Sequence, residues 1–300
     1  MVALAQAVGR YPSTRAVLQL LKPVTWFAPM WALACGAVST GVPLTQRWPE
    51  VVGSVLLAGP LVCGTSQAVN DWFDREVDAI NEPDRPIPSG RVPGRWGLAI
   101  AVVWTGLSLA VAAALGVAVL GAAVIGLALS WAYSMPPLRL KANGWLGNTA
   151  VGLCYEGLPW FTGAAALLGG VPRFESVALA VLYSGGAFGI MVLNDFKAVE
   201  GDTRLGIRSL PVQLGVRRAA LLACVVMTLP QLAAIGLLVR LGRVLEPAVI
   251  GGLVVAQIAL MPMLVREPRR RAPLYNATGT TCYVLGMMAS AIALRALIQQ

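Results

Sequence analysis

Apolar stretches separated by short polar segments run along the whole chain. Nine of them approach the roughly 20 residues that a helix needs to cross a bilayer, at 23–44, 50–70, 96–115, 117–135, 146–168, 176–196, 217–239, 246–265 and 275–298. The third and fourth come from one uncharged run, long enough for two helices joined by a turn near Gly116. The pattern predicts an all-α polytopic membrane protein with about nine transmembrane helices. We expect a single domain over 1–300, with cap loops at about 71–95 and 195–216.

The distribution of charge predicts how these helices are oriented. Only 12% of the residues are charged, whereas a soluble domain carries about 25%. Eighteen of the 23 Lys and Arg residues fall in the N-terminal segment or in every second connection, and four fall in the connections between. Because cytoplasmic loops are rich in Lys and Arg, the N-terminus and both cap loops are expected in the cytoplasm. This topology also explains the net charge of +9 without nucleic acid as a partner.

Two residue types limit the chemistry. The sequence has no histidine, which excludes a Ser-His-Asp triad, a His-ligated metal and imidazole acid–base catalysis. The five cysteines are far apart and lie in apolar stretches, so neither a disulfide framework nor a thiolate metal site is expected. Catalysis then depends on carboxylates, Lys, Arg, Tyr, Ser or the backbone.

Nine of the 14 acidic residues occupy two short segments, each at the cytoplasmic end of a predicted span. In the first, Asp71, Asp74 and Asp78 lie within about 60° of one another on a helix, and Asn70 lies one turn before Asp74. Such oxygen ligands suit Mg²⁺, which usually binds one or two carboxylates together with substrate phosphates. The alternative is a solvated helix end whose acids pair with nearby arginines such as Arg85.

The second segment follows Asn194. Asp195 and Asp202, seven residues apart, lie within about 20° of each other on a continuous helix. Two facing acidic segments would hold Mg²⁺ ions and, through them, a diphosphate. Metals and cations at the leaving oxygens would stabilise its departure. A diphosphate on a long hydrocarbon chain is the natural ligand of such a site in an apolar bundle.

These segments resemble the motifs of the UbiA superfamily of intramembrane prenyltransferases. Residues 70–78 match its N-D-x-x-D-x-x-x-D motif, and the similarity continues through 81–91. The stretches 131–141, 154–163 and 193–211 are similar to the chlorophyll and bacteriochlorophyll synthase branch, and the whole sequence most resembles the bacterial members of that branch. The resemblance covers about residues 15–295 and implies a UbiA-type bundle with a central cavity.

The resemblance implies an enzyme that esterifies the propionate of bacteriochlorophyllide a with geranylgeranyl or phytyl diphosphate, at the last stage of bacteriochlorophyll biosynthesis. It implies Mg²⁺ as cofactor, with Mn²⁺ as a substitute, and a bacterial inner membrane, cytoplasmic or intracytoplasmic, as location. The implied metal ligands are Asn70, Asp74, Asp78, Asp195 and Asp202, with Asp71 as a further catalytic residue. The implied substrate-binding residues are Lys22, Arg85, Tyr133, Ser134, Arg139, Lys141, Asn194, Lys197, Arg208 and Glu156.

Two positions leave alternatives open. Ala198 stands where many UbiA members have the first Asp of the second motif, and Asp195, one turn earlier, is the candidate replacement. Glu156 is an ionisable residue inside a predicted span, which is a functional position by default. It is either part of the site wall or a buried structural acid.

Three other functions remain open from the sequence. The same chemistry could act on chlorophyllide a, or a UbiA-type enzyme could prenylate an aromatic ring of the quinone or haem type. A transporter is disfavoured, because the acids gather at cytoplasmic helix ends rather than near the midplane of the bilayer, where transporters place their sites. A carboxylate acceptor fits the missing histidine best, since it is already ionised near neutral pH.

Overall fold

The computed structural model describes residues 11–299, apart from the side chain of Leu205. Arg10, one of the N-terminal cations that predict the orientation of the helices, lies outside the described residues. The described residues form helices and short connections, with one isolated β-bridge. The helices are α1 Thr14–Leu21, α2 Phe27–Ser39, α3 Leu44–Asn81, α4 Trp96–Leu115, α5 Val117–Ser134, α6 144–168, α7 Phe174–Asp195, α8 Val199–Leu205, α9 Leu210–Leu214, α10 Val216–Arg240, α11 Leu245–Arg266 and α12 Pro268–Ile298.

Seven helices of the described chain are long and apolar enough to cross a membrane, namely α3, α4, α5, α7, α10, α11 and α12. The prediction of an all-α membrane protein is therefore confirmed. Helix α2 coincides with the first predicted span but has only 13 residues, and α6 lies at the fifth. The count of nine spans and the cytoplasmic N-terminus stay predictions.

The burial of each helix shows its place in the bundle. The most apolar part of α7 is 56% buried, whereas that of α4 is only 22% buried. An apolar helix that exposes most of its surface faces lipid, so α4 is peripheral and α7 is central. The central position of α7 matters because its last residues carry the second acidic segment.

Helices α2 and α6 approach each other closely enough to exclude side chains at two positions. A methyl group on Gly36 would overlap the backbone carbonyl of Trp160, and one on Gly163 would overlap that of Leu33. Small residues at facing positions let helices pack closely in lipid. This contact fixes α6 against the start of the bundle.

Helices α3 and α6 each contain a π-helical turn. In α3 the turn covers Leu57–Cys63, and in α6 it covers Leu153–Gly157. A π-helical turn shifts the side chains that follow it around the helix and is frequent at functional sites. The two turns meet inside the bundle, where the Sγ of Cys63 lies 3.7 Å from the hydroxyl oxygen of Tyr155.

Candidate functional site

A cavity of about 490 Å³ lies between the start of α2, with the segment before it, and the helices α3, α5, α6 and α7. One end lies next to the acidic segments, and we call it the motif end. Asn70, Tyr133 and Asn194 line this end, and Leu129 and Met191 are among the apolar residues further in. The two asparagines that open the two acidic segments therefore face one cavity, although they are far apart in the sequence.

The polar groups at the motif end are held by neighbours. Asn70 donates from its side-chain amide to the hydroxyl of Ser134 at 3.0 Å. Asn194 accepts a hydrogen bond from the side-chain amide of Asn276 at 3.3 Å. Three of the residues implied by the resemblance, Asn70, Ser134 and Asn194, are thus placed at this end, with Tyr133 beside them.

Asp71 points away from the cavity and joins two cations. Its Oδ1 lies 2.7 Å from the Nζ of Lys22 and 3.2 Å from an Nη of Arg85. Its side chain is fully buried, and its Oδ2 has no hydrogen-bond partner among the described residues. Arg85 also pairs with Asp78 at 2.8 Å. The loop after α3 is therefore folded back onto the acidic face.

Asp74 contacts the cations of the connection after α5. It forms an ion pair with Lys141, and the guanidinium of Arg139 lies 3.6 Å away. Burial lowers the pKa of Lys141, and the neighbouring Asp74 carboxylate opposes that shift. Lys141 and Arg139 are therefore placed beside the cavity, where an anion could share them with Asp74.

Two of these cations have an unusual backbone. Lys22 has a φ of 47° and Arg139 a φ of 35°, and no other described residue except glycine has a positive φ. Non-glycine residues rarely adopt this left-handed conformation, and such residues cluster at functional sites. Both side chains reach an acid of the first segment.

The second acidic segment differs from its prediction. Helix α7 ends at Asp195 and α8 begins at Val199, so Asp195 and Asp202 do not share the face of one continuous helix. Asp195 accepts a hydrogen bond from the side-chain amide of Asn148 at 3.1 Å. Burial raises the pKa of Asp202. The break comes at 196–198.

Two connections are joined by backbone hydrogen bonds close to both acidic segments. The amide of Gly144 donates to the carbonyl of Arg208 at 2.8 Å, and the amide of Arg208 donates to the carbonyl of Ala142 at 3.0 Å. A methyl group on Gly144 would lie 2.5 Å from the amide nitrogen of Leu210. Glycine at this position therefore allows the segment that carries Arg139 and Lys141 to dock beside the second acidic segment.

The remaining implied residues lie around this core. The side chain of Arg208 is exposed, and so is that of Lys197. The pKa of Glu82 is lowered mainly by a hydrogen bond from Arg85 and further by the charges of Lys22 and Lys197. Lys197 therefore lies near the loop that follows the first segment.

Glu156 lies inside the bundle rather than on the cavity wall. It belongs to the π-helical turn of α6 and is only 4% exposed. One of its carboxyl oxygens, Oε2, has no hydrogen-bond partner among the described residues. Its neighbour Tyr155 lines the cavity instead.

The structure shows how the first segment is neutralised. Among the described residues, no three acidic or cysteine side chains form a group that could hold a metal ion on their own. Asp71, Asp74 and Asp78 each contact Lys or Arg instead. The alternative interpretation was a solvated helix end whose acids pair with nearby arginines. Such ion pairs are present, but most of their cations come from other segments, namely Lys22, Arg139 and Lys141.

Sequence reasoning missed several polar residues of the site. Gln67 and Tyr155 line the cavity, and Asn148 and Asn276 hold the second segment. Their signal was an amide or phenol inside an otherwise apolar predicted span. Gln67 also precedes Asn70 by three residues, which places both on one helix face.

Known proteins are similar to this chain in sequence and in fold. Residues 21–290 match the UbiA prenyltransferase family, and the chain belongs to that family. It is 57% identical over 95% of both chains to the bacteriochlorophyll synthase 33 kDa chain of Cereibacter sphaeroides. It is 38% identical to the chloroplastic chlorophyll synthase of Oryza sativa, over 92% of this chain and 76% of that one. The resemblance found in the sequence is therefore confirmed.

Solved structures confirm the fold. A digeranylgeranylglyceryl phosphate synthase has a TM-score of 0.75 over 93% of this chain and 98% of its own, at 21% identity. A UbiA homolog from Archaeoglobus fulgidus, bound to GPP and Mg²⁺, has a TM-score of 0.72 over 94% of this chain and 99% of its own, also at 21% identity. The chain is an integral membrane prenyltransferase with the UbiA fold.

Proposed function

We propose that this prenyltransferase esterifies the propionate of bacteriochlorophyllide a with geranylgeranyl or phytyl diphosphate and releases diphosphate. The observation that carries the proposal is the cavity inside the bundle, whose motif end is lined by Asn70, Tyr133 and Asn194. Acids and cations of both segments lie beside that end. The relatives, a bacteriochlorophyll synthase at 57% identity and a chlorophyll synthase at 38%, support the choice of acceptor.

The cavity suits the two parts of a prenyl diphosphate. Its inner wall includes Leu129, Val151 and Met191, against which a hydrocarbon chain would be removed from water. Arg139 and Lys141 lie beside its motif end through Asp74, and cations favour a diphosphate there. The chain would therefore run from the motif end into the bundle.

The donor chemistry at the motif end fits Mg²⁺. Carboxylate and amide oxygens are the ligands this ion prefers, and it usually keeps substrate phosphates among them. Because substrate phosphates supply some of the ligands of such an ion, the metal would bind together with the diphosphate and would need no group of three acids. The residues that would hold it are Asn70, Asp74, Asp78, Asp195 and Asp202. When bound, Mg²⁺ would offset the negative charge that develops on the leaving diphosphate.

The protein's own residues have distinct roles in this proposal. Lys141 and Arg139 would be shared between Asp74 and the diphosphate, and Tyr133 and Ser134 would lie beside the diphosphate. Asp71 contacts Lys22 and Arg85 rather than the cavity, so it positions those cations. Lys197 and Arg208 are exposed, and their charges would attract the anionic substrate.

The reaction needs no base. The bond between the first carbon of the prenyl chain and the diphosphate oxygen breaks, and its electron pair leaves with diphosphate. A propionate oxygen forms the new bond to that carbon. Because a carboxylic acid is ionised near neutral pH, no proton has to be removed. A site without histidine can therefore carry out the whole transfer.

The test is ester formation by the purified protein in detergent or by membranes that contain it. Bacteriochlorophyllide a and chlorophyllide a are supplied together with geranylgeranyl diphosphate and Mg²⁺, and the pigments are separated by chromatography. We expect esterified bacteriochlorophyllide as the main product. An ester of chlorophyllide alone would change the acceptor, and absence of any pigment ester from the folded protein would overturn the proposal. Fractionation of a bacterial host would test the proposed inner-membrane location.

A further inference from the structure

Two polar side chains contact the hydroxyl of Tyr155, a residue of the cavity wall. The side-chain amide of Gln67 donates to the hydroxyl oxygen of Tyr155 at 3.2 Å, and the thiol of Cys63 donates to the same oxygen at 3.7 Å. We call Cys63, Gln67 and Tyr155 the inner polar cluster. The roles given above to the two acidic segments and their cations do not use it.

The hydroxyl of Tyr155 has an unused donor position. A tyrosine hydroxyl can accept two hydrogen bonds and donate one. Gln67 donates to this oxygen and Cys63 lies 3.7 Å from it, although the single thiol hydrogen of Cys63 also has the carbonyl of Thr25 at 3.6 Å. No oxygen or nitrogen atom in the described part of the chain accepts the hydroxyl hydrogen of Tyr155. Because Tyr155 and Gln67 line the cavity, this donor is available to a molecule inside it.

The cluster lies one helical turn deeper than the motif end. Gln67 precedes Asn70 by three residues on α3, so the two share a face and differ in depth by roughly 4.5 Å. A diphosphate held at the level of Asn70 would place the first carbons of its chain at the level of Gln67. This is the part of the substrate at which the new ester bond forms.

We propose that the inner polar cluster binds the carboxylate of the acceptor, with the hydroxyl of Tyr155 donating to a propionate oxygen. The inference rests on the proposed function and adds the residues that orient the acceptor. A neutral donor suits this step, because it holds a carboxylate in place without a full positive charge that would compete with the prenyl carbon for its electrons. The contact between the two π-helical turns, made by Cys63 with the Tyr155 hydroxyl, keeps Tyr155 in position.

The test compares Tyr155→Phe with a matched control. Tyr155→Phe removes only the hydroxyl. The control is Tyr275→Phe, because the hydroxyl of Tyr275 is buried away from the cavity lining and has no partner among the described residues. For each protein, KM is measured separately for bacteriochlorophyllide a and geranylgeranyl diphosphate. Free prenyl alcohol, the product of hydrolysis, is measured beside the pigment ester.

We expect Tyr155→Phe to raise the KM for bacteriochlorophyllide a roughly tenfold, as for a lost hydrogen bond to a charged group, and to leave the KM for the diphosphate within about twofold. Its products should shift from ester toward prenyl alcohol. The methyl ester of bacteriochlorophyllide a keeps a carbonyl acceptor but has no propionate charge, so Tyr155→Phe should weaken its inhibition less than it raises the KM for the free acid. A structural role would not produce this selective pattern, and Tyr275→Phe should show none of it.

The outcomes separate the two proposals. An unchanged acceptor KM and an unchanged ester-to-alcohol ratio in Tyr155→Phe overturn the role of the cluster. Failure of the wild type to esterify any chlorin overturns the proposed function instead. If Tyr155→Phe does not fold, Gln67→Met, which removes the amide at similar size, is measured in the same way and with the same criteria.

Discussion

The Nζ of Lys22 and the Oδ1 of Asp71 lie 2.7 Å apart, although 49 residues separate them in the sequence. Their ion pair joins the short helix α1 to the first acidic segment on α3. Arg85 contacts the same carboxyl oxygen from the loop beyond α3. The buried Asp71 thus holds together α1, α3 and the loop beyond α3. Asp74, the next acid on that face, contacts Lys141 and Arg139 instead.

Asp71→Ala should destabilise the fold more than it alters the cavity. The substitution removes the one ion pair of Lys22 in the described part of the chain and one of the pairs of Arg85, which keeps Asp78, and breaking a buried pair of this kind costs about 3 kcal/mol. This is the lower end of the usual range, since both cations remain about a quarter exposed. Thermal unfolding in detergent measures the loss. The control is Glu267→Ala, because Glu267 also pairs with two arginines but is exposed and should cost less than about 1 kcal/mol. Equal losses would contradict the anchoring role of Asp71.

Asp74→Ala and Asp78→Ala should abolish turnover while the protein stays folded. Both are proposed metal ligands, and Asp74 also places Lys141 and Arg139, so we expect a loss of at least about a hundredfold. Ester formation under saturating substrate measures it. Glu76→Ala on the other face of α3 should retain most activity, since its side chain is 87% exposed and its one ion pair among the described residues is with Arg75. Similar losses at all three positions would show that the segment has a structural role only.

The sequence-based predictions were reliable where a pattern repeats locally. The spacing of Asp71, Asp74 and Asp78 correctly placed all three on one helix, because a helix face depends only on the turn angle per residue. The same rule could not show that Asp71 turns toward Lys22 while Asp74 turns toward Lys141, since those partners depend on how distant segments pack.

The rule also failed where the backbone departs from a regular helix. The break between Asp195 and Val199 separates two acids that a continuous helix would align. The π-helical turns that bring Cys63 to Tyr155 have no periodic signature in an apolar span. The cavity wall could therefore be predicted at Asn70 and Asn194, which open recognisable motifs, but not at Gln67 or Tyr155.

Gly36→Ala should destabilise the bundle, whereas Gly106→Ala should not. The added methyl group at Gly36 meets the backbone of Trp160, which cannot move without separating α2 from α6, and overpacking of this kind costs about 1–3 kcal/mol or more. Gly106 lies on α4 with open space around it, and alanine there should stabilise the helix by about 0.5–1 kcal/mol in an ordinary helix interior. Thermal unfolding of the two variants measures both effects. A stable Gly36→Ala would mean that the two helices do not pack as closely as described.

Removal of divalent metal should stop catalysis without unfolding the protein. Asp71, Asp74 and Asp78 already contact Lys or Arg, so a chelator leaves no cluster of unpaired acids behind. Ester formation should return when Mg²⁺ is restored.

Mg²⁺ and prenyl diphosphate together should raise the unfolding temperature more than either alone, because the two are proposed to bind as a unit. A ligand present at 100 times its Kd stabilises a fold by about 2.7 kcal/mol. Thermal unfolding with each combination, and with Asp74→Ala as the variant that should lose the joint effect, measures this coupling. Full activity in the chelator, or a chelator that unfolds the protein by itself, would contradict a metal that binds with the substrate.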